Sequence, residues 1–513
     1  MAEEAPSQRR DPVKSSVHDL AGRRRRQHAV ALGKERREAL VRAKRICRYG
    51  LDDDATSQEG SMITDEEAAA LDAQTSRTVE ELKLVVAHPG KGATRKKIEV
   101  LRDLRRLLSN SELPPVEAAV DAGAINLLVQ CLSFGSPDEQ LLEAAWCLTN
   151  IAAGGSEQTR SLLPALPLLI AHLGEKSLVP VAEQCAWALG NVAGEGEELR
   201  NILLAQGALL PLARMMMSSK GSTARTAAWA LSNLIKGPNP KAATELVRVD
   251  GVMDAILRHL KKVDEELVTE VAWVVVYLSA LSPVATTMLT KSDIIQLLVE
   301  RLRASENLQL LIPVLRSLGN LVAGDSFTTN SVLVAGREIT DDVLSALTKC
   351  LKTDHRVLKK EAAWVLSNIA AGSLEHKQLI FSSEAAPLLL HLLSNAPFDI
   401  RKEVAYTLGN LCVAPSDSAS PPSIILHHLV TLVDRGCLPG FISLVRSPDI
   451  EAARLGLQFL ELVMRGLPNG EGPKIVEMED GIDAMERFQF HENEELRIMA
   501  NGLVDKYFGE DYT

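Results

Sequence analysis

One stretch bounds the fold more tightly than anything else in the chain. It is Glu143-Ala-Ala-Trp146-Cys-Leu-Thr-Asn150, and it recurs. Trp187 precedes Asn191, Trp229 precedes Asn233, and Trp364 precedes Asn368, each by the same four residues. Three copies are altered: Trp273 with Tyr277, Arg316 with Asn320, and Tyr406 with Asn410. Successive copies start 41, 42, 44, 43, 48 and 42 residues apart. A period near 42 with helical spacing inside each copy signals an α-solenoid, a stack of helical repeats that each touch only their neighbours.

A helical wheel separates two faces of the motif. With about 100° per residue, Ala362, Val365, Leu366 and Ile369 share one arc, the expected packing face. Glu361, Trp364 and Asn368 share another. Burying an amide in every repeat costs about 1–3 kcal/mol each if it finds no partner, so the second arc is expected to face a ligand. An Asn carboxamide both donates and accepts, which suits the backbone of an extended peptide. Indoles can flank Lys or Arg stems with some cation–π attraction. Carboxylates three residues before the ring position (Glu143, Glu270, Glu361, Glu403) share this arc and are expected to make it acidic.

The 513 residues exceed one ordinary core, but a solenoid extends its core repeat by repeat. Aromatic residues are 4% against 46% hydrophobic, so Leu, Ala and Val must supply helix-on-helix packing. Charge is uneven. Residues 1–49 carry 14 Lys and Arg and 6 Asp and Glu, a net of +8; the total of −11 leaves −19 for the rest. A basic arm on an acidic body points to mutual attraction or to separate charged partners. Seven scattered Cys without a CxxC spacing fit reduced thiols. The opening residues do not read as a signal peptide. The apolar run 271–289 contains Pro283 and reads as a buried repeat helix and turn, not a membrane span.

Along the chain, residues 1–50 read as a basic arm that is disordered or becomes helical on a partner. Residues 51–75 read as an acidic linker and residues 76–513 as the repeat domain. Residues 97–108 have helical apolar spacing without the motif, as a capping repeat would. Gly154, Gly194, Gly237, Gly324 and Gly372 follow motif helices and are expected to be left-handed C-caps. The long interval before Trp364 predicts a loop insertion near 325–340, and Pro415 to Pro422 predicts another. Motif copies stop after Asn410.

Taken together, the arm, the Trp–Asn series, the Tyr277 and Arg316 variants, His491-Glu-Asn-Glu-Glu-Leu and Tyr507-Phe-Gly-Glu-Asp resemble the importin alpha family, in particular a divergent plant member. The resemblance spans nearly the whole chain. It implies an all-α, right-handed superhelical solenoid of about ten armadillo repeats behind a basic N-terminal arm. It implies an adaptor that shuttles between cytoplasm and nucleus and binds Lys/Arg-rich nuclear localisation signals.

Two peptide sites are implied by the same resemblance. The major one would use Trp146, Asn150, Trp187, Asn191, Trp229 and Asn233, with a lysine pocket at Gly154, Thr159 and Glu195. The minor one would use Asn320, Trp364, Asn368, Glu403, Tyr406 and Asn410, and Tyr406 stands where the family usually has Trp. Importin beta would take the arm through Arg23, Arg24, Arg25, Arg26, Lys34, Arg36, Arg37, Arg42, Lys44, Arg45 and Arg48. An export receptor would meet the C-terminal repeats.

The sequence lacks GxxxxGK[ST], HExxH and GxSxG, and its His residues have no metal-ligand spacing, so no enzyme, cofactor or metal site is expected. Direct nucleic-acid binding and membrane insertion are not expected either. The rival reading is an armadillo scaffold that holds other extended partners without a transport role.

Overall fold

The computed structural model describes residues 65–88, 90, 92–109, 114–335, 343–414 and 422–509. All regular structure among them is helical. They divide into two compact units that meet in sequence at Met288 and Leu289.

In the first unit the long helices are α1 (Asp65–Ala87), α2 (Ala93–Ser109), α3 (Asp138–Ala152), α4 (Val179–Glu195), α5 (Gly221–Ile235) and α6 (Glu265–Leu281). In the second they are α7 (Leu308–Val322), α8 (Arg356–Ala370), α9 (Phe398–Leu411), α10 (Ile450–Gly466) and α11 (Glu494–Phe508). Helices α3 to α9 carry the seven copies of the motif. Within the first unit α2 packs on α3, α3 on α4, α4 on α5, and α5 on α6. Within the second α7 packs on α8, α8 on α9, and α9 on α10. Each unit is therefore an ordered stack in which sequence neighbours are spatial neighbours, as a helical repeat requires.

Shorter helices complete each repeat. Ala124–Cys131 precedes α3 and Val252–Leu260 precedes α6. Both start after a glycine in the left-handed region, Gly123 at φ 85° and Gly251 at φ 83°. A side chain there would be strained. The expected packing arc is the core: Ala362, Val365, Leu366 and Ile369 are wholly buried. The run after Val271 is the buried end of α6 and the helix that follows it, Pro283–Thr290. No single described helix is long and apolar enough to cross a membrane.

Three local expectations fail. Of the stretch read as a linker, residues 51–64 lie outside the described residues, and the reading fails from Asp65 onward, where α1 starts. Asp65, Glu66 and Glu67 lie in its first turn, where carboxylates favour the positive end of the helix dipole. The loop expected near 325–340 contains a helix, Ser326–Val334, capped by Asp325 accepting from the Thr328 amide. Its remainder at 336–342, and 415–421 of the second loop, lie outside the described residues.

The glycines after the motif helices are not left-handed caps either. Three of the five, Gly154, Gly324 and Gly372, sit where a side chain would be crowded. A Cβ at Gly154 would stand 3.1 Å from the Ile151 carbonyl, at Gly324 3.0 Å from that of Leu321, and at Gly372 3.1 Å from that of Ile369.

Candidate functional site

The asparagine rungs are joints between repeats. Asn191 Nδ2 donates to the Thr149 carbonyl at 3.3 Å, Asn233 to Gly190 at 3.1 Å, Asn368 to Gly319 at 3.0 Å and Asn410 to Ser367 at 3.0 Å. In each case the acceptor belongs to the residue just before the preceding rung's asparagine. Asn150, the first rung, donates instead to the Ser109 hydroxyl at 2.8 Å. The six asparagines are correspondingly buried, none more than 6% exposed. The expectation that they face solvent is thus overturned. Its premise was that a buried amide would lack a partner, and the neighbouring helix supplies one to Asn150, Asn191, Asn233, Asn368 and Asn410.

The rings follow the same logic. Trp229 lies on Gly190 and Trp364 on Gly319, so closely that a Cβ on either glycine would overlap the indole. Trp187 and Trp229 lie 4.9 Å apart between ring centroids, tilted by 31°. Trp229, Trp273, Tyr277 and Tyr406 are buried, while Trp146, Trp187 and Trp364 are half-buried and keep part of each ring at the surface.

The carboxylates do not leave an open acidic trough. Glu143 is held by Arg105 at 2.6 Å and Arg102 at 3.5 Å. The Arg105 guanidinium also stacks over the Trp146 ring, 4.3 Å from its centroid. Glu361 accepts from Arg316 Nε at 3.1 Å in a pair with little exposure on either side. Glu270 and Glu403 are buried as well. Arginines from the adjoining repeats, two of them beyond any motif copy, were absent from the single-helix argument.

The implied lysine pocket is partly closed. Gly154 and Glu195 are half-buried, but Thr159 is wholly buried. Its hydroxyl lies 3.2 Å from the Ala152 carbonyl and 2.9 Å from that of Gly155, either of which can accept its proton. This is one member of a series the sequence reading missed. Nine residues after a rung, a side-chain donor reaches back to a carbonyl near the motif-helix C-terminus. Thr159 does so to Ala152, Arg200 to Ala193, Thr286 to Ser279, Thr329 to Val322 and Lys377 to Ala370. A further buried cation, Lys236, stands outside this series and donates to Asn233 Oδ1 at 3.1 Å. The recurring offset from the rung was the available signal.

The arm residues Arg23 to Arg26, Lys34, Arg36, Arg37, Arg42, Lys44, Arg45 and Arg48 lie outside the described residues. So does Cys47; the other six cysteines are buried and free. Burial pushes the Cys131 and Cys350 thiols up to about 11 and Cys412 up to about 12, which keeps them protonated at neutral pH. Among the described residues no three His, Cys, Asp or Glu side chains gather as a metal site. What remains at the surface is part of the Trp146 and Trp187 indoles in the first unit and of the Trp364 indole in the second.

Comparison with known proteins agrees with this architecture. Residues 114–153 and 373–413 match the armadillo/beta-catenin-like repeat family, and residues 138–192 and 179–234 match a HEAT-like repeat. The chain is 68% identical over 508 residues to importin subunit alpha-9 of Arabidopsis thaliana, covering 99% of this chain and 98% of that one. It is 67% identical to importin subunit alpha-2 of Oryza sativa subsp. japonica, covering 98% and 96%. An engineered protein of known crystal structure has the same fold, with a TM-score of 0.71, 23% identity, and coverage of 84% of this chain and 98% of that one.

Proposed function

Because the chain belongs to the importin subunit alpha family, we propose that it is a nuclear import adaptor. It captures Lys/Arg-rich localisation signals along the Trp–Asn row and hands them to importin beta through its basic arm. The observation that carries this reading is relatedness along nearly the entire chain. The half-exposed Trp146, Trp187 and Trp364 support it as surfaces on which lysine and arginine stems can lie.

The asparagines play a different part from the one the sequence suggested. Their amides lock successive repeats together, and that fixes the spacing at which the indoles are presented. Cargo contacts then fall on Trp146, Trp187, Gly154 and Glu195 in the first unit and on Trp364 in the second. The arm between Arg23 and Arg48 takes the receptor, the C-terminal repeats take an export receptor, and the adaptor cycles between cytoplasm and nucleus.

Fluorescence anisotropy on the full chain tests the reading. A labelled Lys/Arg-rich peptide binds, more weakly as salt rises, and a neutral peptide of the same length does not. Equal affinity for the two peptides overturns it.

A further inference from the structure

The donor that reaches back to the motif helix is not the same throughout the row, and the differences form a pattern. Between the Asn150 and Asn191 rungs it is the uncharged Thr159, and between Asn320 and Asn368 the uncharged Thr329. Between Asn191 and Asn233 it is Arg200, and between Asn368 and Asn410 it is Lys377. Thr286 makes the same contact after the Tyr277 rung, so the cations of this series stand in the Asn191–Asn233 and Asn368–Asn410 intervals, each following an interval closed by a hydroxyl.

Lys377 is the more completely enclosed of the two cations, 3% exposed. Its ammonium donates to the Ala370 carbonyl at 2.6 Å and to the Asn410 carbonyl at 2.5 Å. Those carbonyls lie at the C-terminal ends of α8 and α9, where the helix dipoles present negative charge. Covalent geometry keeps the Asn410 carboxamide within about 8 Å of that ammonium. An incoming lysine or arginine that settles between the Asn368 and Asn410 rungs therefore meets a fixed positive charge, and the carbonyls that could have received it are taken.

We infer that Lys377 is a specificity-determining residue that excludes cationic cargo side chains from the Asn368–Asn410 interval. The second unit is then left to accept a cation only beside Thr329. The inference rests on the reading that the row takes a basic peptide. Its consequence is that a signal with a second basic cluster gains little over a signal with one.

The test measures anisotropy on the full chain with two labelled peptides, one carrying a single Lys/Arg cluster and one carrying two. On the unaltered chain the second cluster improves affinity by less than about threefold. In Lys377→Thr, which copies the Thr329 arrangement, and in Lys377→Met, that gain rises to about tenfold, the size expected when one unit charge is removed from a poorly screened site. Lys377→Arg keeps the unaltered behaviour.

An unchanged gain in the Thr and Met variants, with helicity by circular dichroism intact, overturns the inference. So does a gain of about tenfold or more on the unaltered chain, a result that needs no variant to fold. If the single-cluster peptide fails to bind at all, the adaptor reading has failed instead.

Discussion

Gly319→Ala isolates the joint between two repeats. The added Cβ would lie 2.1 Å from Cζ3 of Trp364, 2.6 Å from Cε3 and 2.8 Å from Cη2. Carbon atoms rest at about 3.5–4.0 Å from one another, so the indole must retreat by more than about 1 Å. It is a rigid ring with no flexible end to give way, and the Asn368 amide bonded to the Gly319 carbonyl ties the same two helices together. Overpacking of this kind costs about 1–3 kcal/mol, and the rigid ring puts the value near the top of that range. In a unit of this size that lowers the melting temperature by about 4–10 °C.

Trp364→Ala alone costs less than the about 3–5 kcal/mol of a fully buried ring, because part of the indole is already at the surface. Combining the two changes removes the clash, so the pair should be less destabilising than the sum by about 2 kcal/mol. Thermal and urea melts followed by circular dichroism give all four corners of the cycle. A Gly319→Ala protein that melts within about 1 °C of the unaltered chain, or strictly additive changes, would refute the packing argument.

Other expectations follow from the buried polar groups. Arg316→Met leaves the Glu361 carboxylate buried without its arginine and should cost about 3–5 kcal/mol, whereas Arg316→Met with Glu361→Gln should recover most of that in the same melts. Asn368→Ala removes the cross-repeat hydrogen bond to the Gly319 carbonyl, which still accepts from the Ala323 amide at 3.2 Å, and should cost about 0.5–1.5 kcal/mol by urea titration, with no loss of helicity under native conditions. Burial lowers the proton affinity of His259, His376 and His428 below the ordinary 6.5. The unfolded chain binds those protons more readily, so the stability they contribute is full above about pH 6.5 and is lost as pH falls towards their folded-state values. Melting curves at pH 7.5 and 5.5 should show the loss, and His428→Gln should reduce the difference.

The 42-residue period and the apolar arc were legible because both are local: a helix carries its own periodicity, and a core face is a property of one helix. The partners of the rungs were not legible. The acceptor for Asn233 is the carbonyl of Gly190, in the preceding repeat, and a wheel drawn on one helix cannot display it. A trace was available all the same. The residues before the asparagines are small or hydroxylic, namely Thr149, Gly190, Ser232, Gly319, Ser367 and Gly409, as a closely approached neighbour demands. The charge argument failed for the same reason. Glu143 and Glu361 looked available because Arg105 and Arg316 reach them across a repeat boundary.

All five tryptophans of the chain sit in motif helices, so labelling with 5-fluorotryptophan places a ¹⁹F reporter on every indole of the row and nowhere else. Titration with a Lys/Arg-rich peptide should shift the resonances of the half-buried Trp146, Trp187 and Trp364 and leave the buried Trp273 in place. Five unmoved resonances at a peptide concentration that saturates binding by anisotropy would put the cargo elsewhere on the molecule and contradict the account.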